Sequence, residues 1–148
     1  MRRKSPKNKE YDTFTNLELR LVDTIINPKY TQRQLDFFKQ KIVSDYVDQS
    51  LLYRLSVKFK KPELAEIILH SGKFDINDGE LYLEVLAAVM FGNEDLIIQH
   101  IQNGYILTEK ELNRLLETYE KVGIENRNKE LYFYFKNLLK NKSSKHES

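Results

Sequence analysis

The chain has 148 residues, 41% of them hydrophobic and 31% charged, with nine Tyr, eight Phe and no Cys. This is the size and make-up of one globular domain with a sizeable core, and the lack of Cys excludes a disulfide framework and thiolate chemistry. The net charge of +2 is unevenly spread: residues 1–9 carry +5, residues 10–135 carry −6 and residues 136–148 carry +3. An acidic body with two basic ends is not the footprint of a folded surface that wraps nucleic acid.

No run of eighteen apolar residues is present, so no membrane span is expected, and Met1–Lys7 lacks the apolar segment of a signal peptide. The expected location is the cytoplasm, or the host cytoplasm for a viral protein. Residues 1–12 read as a basic disordered tail, 13–140 as a single helical domain and 141–148 as a polar tail.

In chain order, Thr15-Asn16-Leu17-Glu18 has capping-box spacing, and Leu17, Leu21, Val22, Ile25 and Ile26 follow at helical intervals. Asn27-Pro28 closes that helix. A second capping box, Thr31 to Gln34, opens a helix expected over about 32–47. Asp48-Gln49-Ser50 is a polar break before a third helix on Leu51, Leu52, Leu55 and Phe59. Pro62 suits the first position of a fourth, whose end is marked by Gly72.

Lys73–Gly79 reads as a loop despite its alternating Phe74 and Ile76. The fifth helix, about 79–91, is apolar around most of its circumference (Leu81, Tyr82, Val85, Leu86, Ala88, Val89, Met90), a pattern that predicts cover on two sides. A sixth follows over about 94–102. A third capping box, Thr108 to Glu111, opens a seventh, which breaks at Val122-Gly123-Ile124. The last helix, about 125–140, carries Tyr132-Phe133-Tyr134-Phe135, four rings that must point to every face of it. No strand is expected.

One phrase occurs twice. Lys60–Gly72 and Gly92–Gly104 lie 32 residues apart, and each contains a helix start, a short apolar helix and a closing Gly. Gly92 and Gly104 are twelve apart, Glu94-Asp95-Leu96-Ile97 lies between them, Leu86-Ala87-Ala88 precedes them, and Gly72-Lys73-Phe74-Asp75-Ile76-Asn77 follows the first copy. Over about 50–108 this resembles the ankyrin repeat, a unit of about 33 residues made of two helices and a loop. The Thr-Pro-Leu-His tetrapeptide that opens an ankyrin unit is absent, and Lys60 stands where the turn Gly belongs. The expected fold is therefore all-α: about eight helices in stacked antiparallel pairs, a degenerate ankyrin-like α-solenoid.

The resemblance implies a protein-binding scaffold, neither an enzyme nor a cofactor carrier, that recognises another protein through its loops and first helices. Its size suits an inhibitor, adaptor or immunity-type protein of a microbe or virus. On that reading Phe74, Glu80, Tyr82, Tyr105, Tyr132 and Tyr134 are the expected partner-binding residues, aromatic side chains being frequent interface anchors. The aromatic content leaves a homodimer open. No phosphate-binding Gly motif occurs, and the three His do not form a metal-ligand pattern. His70 and His100 are expected near helix C-termini, where the helix dipole favours a positive charge. The alternative is a nucleic-acid accessory protein using its basic ends, with Lys58-Phe59-Lys60-Lys61 as a basic, ring-bearing run.

Overall fold

Eight α-helices and one 3-10 turn, without a strand, make up the described part of the computed structural model, residues 6–78 and 81–147, with side chains described for 16–78 and 81–142. The helices are α1 (Pro6–Ile26), α2 (Gln32–Lys41), α3 (Gln49–Lys58), α4 (Pro62–Leu69), α5 (Leu81–Phe91), α6 (Asp95–Gln102), α7 (Glu109–Val122) and α8 (Lys129–Glu147). The 3-10 turn is Ile124–Asn126. They form two compact units, Met1–Asp75 and Ile76–Ser148. No helix among the described residues is long and apolar enough to cross a membrane.

In the first unit α1 packs on α2 and α3, and α3 packs on α4. Leu21 and Ile25 of α1, Phe38 of α2, Leu52 and Tyr53 of α3 and Leu64 and Ile68 of α4 are fully buried. Each such side chain contributes about 1.5–3 kcal/mol relative to exposure. The Thr31 capping box forms as expected, with Gln34 N–H donating to Thr31 Oγ1 at 3.1 Å and Thr31 N–H to Gln34 Oε1 at 2.9 Å. Asp48 caps α3 through the Leu51 N–H at 3.0 Å.

Three boundaries differ from the sequence reading. Residues 6–12, expected in a disordered tail, belong to α1, and Thr15 lies inside that helix. Pro6 suits a first helical position and nothing up to Thr15 breaks the pattern. Glu18, the acid of that apparent capping box, instead accepts the Asp48 N–H at 2.9 Å. Helix α2 stops at Lys41, short of 47, because side chains take over its backbone groups. Gln49 Nε2 donates to the carbonyls of Ile42 (2.8 Å) and Ser44 (3.1 Å), and Ser44 Oγ accepts the Tyr46 N–H at 3.1 Å. Helix α8 runs past 140 to Glu147, through most of the expected polar tail.

In the second unit α5 packs on α6 and α7, and α7 packs on α8. Its interior includes Leu81, Val85, Ile97, Leu112, Leu115, Tyr119 and Phe135, all fully buried. The Thr108 capping box is formed, and Gly123 (φ +95°) closes α7.

The doubled phrase is doubled in conformation. Shifting α3 and α4 by 32 residues places them on α5 and α6 to within a residue. Lys60 has φ +59° and Gly92 +80°; Gly72 has +80° and Gly104 +108°. In the first copy the Lys61 N–H donates to the Ser56 carbonyl at 2.8 Å; in the second the Asn93 N–H donates to the Ala88 carbonyl, also at 2.8 Å. Both are the six-to-one bond of a helix closed by a left-handed residue. Lys60 thus adopts the glycine conformation without being glycine.

Two outcomes follow. Left-handed strain on a residue with a Cβ costs about 1–2 kcal/mol, and glycine gives back about 0.4–1 kcal/mol through the unfolded state. Lys60→Gly should therefore raise stability by about 0.5 kcal/mol. Gly92→Ala should lower it by about 1 kcal/mol, since the nearest atom to an added Cβ, on Arg127, is a comfortable 3.8 Å away and only the backbone objects. Urea midpoints measure both, and a lower midpoint for Lys60→Gly would contradict the left-handed assignment.

The second outcome concerns Tyr30, whose hydroxyl donates to Glu63 and is pushed up to about 12, by burial first and then by that carboxylate. Because the folded value is the raised one, its contribution to stability is complete below about pH 10 and is lost as pH rises through about 12. Tyr30→Phe should flatten the fall of the urea midpoint across that window, and an unchanged slope would refute the linkage.

Candidate partner-binding surface

Helix α5 is apolar on both sides but covered on one. Leu81, Val85, Ala88 and Val89 are buried. On the opposite side, Leu83, Ala87, Met90 and Phe91 fall within about 100° of one another at 3.6 residues per turn. Leu83 is 72% exposed, Met90 50% and Phe91 74%, with Ala87 between them half-buried. Single exposed apolar residues are ordinary, whereas three on one helical stripe leave that side of α5 apolar and uncovered. The two-sided cover expected from the sequence is therefore half present.

The repeat sets the same stripe on α3. Leu51, Leu55, Lys58 and Phe59 stand 32 residues before Leu83, Ala87, Met90 and Phe91. Leu51 and Leu55 are half-buried and Phe59 is 45% exposed. In each copy a Phe thus projects at the residue just before the left-handed turn.

The second unit has another apolar feature. A groove of about 150 Å³ is lined by Ile101, Tyr105, Ile106, Leu107, Tyr134, Leu138 and Lys142. Tyr134, Leu138 and Lys142 are four residues apart on α8 and form one wall. Ile106, 66% exposed, stands at the rim. A cavity of this size holds a benzene ring and is below the usual range of metabolite pockets, so the groove is dimensioned for one side chain.

The expected partner-binding residues scatter. Tyr105 and Tyr134 meet in this groove, the first buried and the second 43% exposed. Tyr132 is buried, its hydroxyl donating to Glu120 at 3.1 Å and its ring edge-on to Tyr119 at 5.4 Å. Phe74 is half-buried and stacked on Tyr53 at 4.9 Å. Tyr82 is half-buried with its hydroxyl enclosed, and Glu80 lies outside the described residues. Of the four consecutive rings of α8, Tyr132 and Phe135 face inward while Phe133 and Tyr134 are exposed. Sequence reasoning passed over Leu83 and Phe91, although their position opposite Val85 and Ala88 could have been read from the helical period.

Among the described residues the enclosed hydroxyl of Tyr82 has no hydrogen-bond partner, and that of Tyr105 lies beside the Glu111 carboxylate. Burial raises the pKa of both, and the Glu111 carboxylate adds to it. A Tyr hydroxyl that is hard to ionise is a poor acid or nucleophile at neutral pH. No group of three or more His, Cys, Asp or Glu placed to hold a metal occurs among the described residues.

The buried polar groups are committed to architecture. His100, fully buried, has Nε2 at 2.9 Å from Glu84 Oε1, which joins α6 to α5. It lies in the last turn of α6, as expected, and Glu84 on α5 partners its ring there. His70 is exposed, with Nδ1 at 2.9 Å from the Glu66 carbonyl. Glu94 accepts the Tyr119 hydroxyl and the Asn128 N–H, the latter at 2.9 Å, and Tyr119 is held well above the usual tyrosine range by burial and by that carboxylate. Arg127 clamps the end of α5, Nε donating to the Val89 carbonyl at 2.6 Å and Nη2 to that of Met90 at 2.8 Å. In the first unit Lys61 does the same for α1, donating to the carbonyls of Ile25 and Asn27.

Compared with protein-family models, with curated proteins and with solved structures, the chain matches none.

Tyr119→Phe tests the buried network. It removes one donor from a nearly buried carboxylate and should cost about 1–3 kcal/mol in a urea titration. A loss under about 0.5 kcal/mol, the level of an ordinary surface change, would show that the bond does not hold α6 to α7.

Proposed function

We propose that the protein is a non-catalytic binding module that acts by stoichiometric association with another protein, through helix pairs stacked in the ankyrin manner. The observation that carries this reading is the uncovered stripe Leu83, Met90 and Phe91 on α5. Helix α5 is the first helix of its pair, and first helices are where an ankyrin-like scaffold is expected to receive its partner. The repetition of an exposed Phe at 59 and 91 supports it, as does the packing of first helix on first helix within each unit, α1 on α3 and α5 on α7.

Affinity on such a face concentrates in a few large apolar anchors that become fully desolvated. The single-ring groove at Tyr105 and Tyr134 offers the converse, a receptor for one projecting side chain, with Lys142 at its end to meet an acid. The run Lys58-Phe59-Lys60-Lys61 is weaker support for nucleic acid than its composition implies, because Lys61 is occupied with the end of α1.

The test is retention of a protein from source lysate by the immobilised chain and by Leu83→Ser/Phe91→Ser. Both side chains are exposed, so the double variant should keep its unfolding free energy in urea to within about 0.5 kcal/mol. The parent chain should retain one partner at equimolar ratio, and the variant should bind it about 30-fold more weakly, the loss of roughly 2 kcal/mol expected of an anchor. Absence of an equimolar partner, or equal retention by the variant, would refute the proposal.

A further inference from the structure

Between α1 and α2 the first unit holds a cleft of about 420 Å³ lined by Arg20, Asp23, Thr24, Arg33, Gln34 and Phe37. That volume falls in the range of small-molecule sites and is many times the roughly 30 Å³ share of one water in the liquid.

Its polar groups are overwhelmingly donors. The Arg20 guanidinium lies 3.9 Å over the centre of the Phe37 ring, which fixes its plane and leaves its N–H edge as the bonding surface. Lys41 stands 6.0 Å from the same ring and adds a positive charge nearby. Neither Arg20 nor Arg33 has a carboxylate partner among the described residues. Gln34 commits Oε1 to the Thr31 N–H in the capping box, so its amide orientation is set and the Nε2 hydrogens are left over. Thr24, almost fully buried, gives its hydroxyl hydrogen to the Arg20 carbonyl at 3.3 Å. Asp23 is the single acid of the lining.

Two guanidiniums and an amide facing one carboxylate ask for an acceptor-rich, negatively charged occupant. A cation or a purely apolar molecule would desolvate those donors without matching them. The space exceeds what a bare inorganic ion fills, so the anion should carry an organic body. We propose that this cleft binds a small organic oxyanion, a phosphate monoester or a carboxylate of metabolite size, clamped by Arg20 and Arg33. The planar fork of each guanidinium matches either anion through paired N–H bonds.

The experiment is an NMR titration of the arginine Nε–H signals of the full chain with phenyl phosphate, benzoate and inorganic phosphate at constant ionic strength. The Arg20 and Arg33 signals should shift saturably with phenyl phosphate or benzoate, and the tighter of the two identifies the anion. Inorganic phosphate should bind at least about tenfold more weakly. Arg20→Gln and Arg33→Gln should each weaken the better probe by about tenfold or more, and Arg20→Lys should do so while keeping the charge. Both side chains are exposed, so the variants should retain the parent's backbone spectrum. Shifts that stay linear to the solubility limit with every probe, equal affinity for inorganic phosphate, or glutamine variants that bind as the parent does would each overturn the proposal. None of these readouts depends on a protein partner, so the result stands apart from that of the lysate experiment.

Discussion

Each helix pair in the doubled segment depends on reversing the chain within three residues. The reversal requires one residue in the left-handed region, and the structure places Lys60 and Gly92 there. With that residue in place, the next N–H reaches back to the last turn of the preceding helix, 61 to 56 and 93 to 88. The second helix of the pair then starts at once, at Pro62 or at Asp95. Without it, α3 or α5 would run on or fray, and the second helix would lose its angle of approach. The basic clamps serve the same need elsewhere: Lys61 and Arg127 satisfy carbonyls at the ends of α1 and α5 that no later turn can reach.

These local devices explain how much of the fold was legible beforehand. Thr31, Asp48, Pro62, Thr108 and Gly123 act through neighbours within a few residues, and their roles were visible as sequence spacing. What failed was long range. Thr15 and Glu18 have the spacing of a cap, yet the Glu18 carboxylate is used 30 residues away on Asp48. The end of α2 depends on Gln49, seven residues past Ile42. No local rule sees either contact. The division into two units depends on which helices pack, and that is not written in the period of any one helix.

The candidate site was less legible than the fold for a related reason. Residue type marks aromatic rings as anchors, yet type alone does not separate Tyr132, which is buried against Tyr119, from Tyr134, two residues on and exposed. Helical phase separates them: Tyr132 and Phe135 are three apart and share the inner face. The same reasoning finds Leu83 and Phe91, which composition hides among the apolar residues of α5. The Arg20–Phe37 cleft could not be found this way, since its two sides come from different helices and only packing brings them together.

The energetics of α5 bear on what its outer face is for. Its inner side chains already make the apolar burial that holds it to α6 and α7. Leu83, Met90 and Phe91 keep half or more of their surface, so they add little to that burial, and Phe91 brings a ring where a Lys or Glu would form helix at least as well. Their contribution to folding is therefore small, while on the proposed reading a partner that covered them would gain about 25 cal/mol per Å². Association recovers only the surplus over its entropic cost, which is why rigidity matters. The stripe belongs to a helix fixed on its other side by packed apolar residues and at its C-terminal end by Arg127, so little further ordering would be needed on contact. A helix that is already held loses less freedom when its exposed apolar face is covered, and α5 is held on both counts.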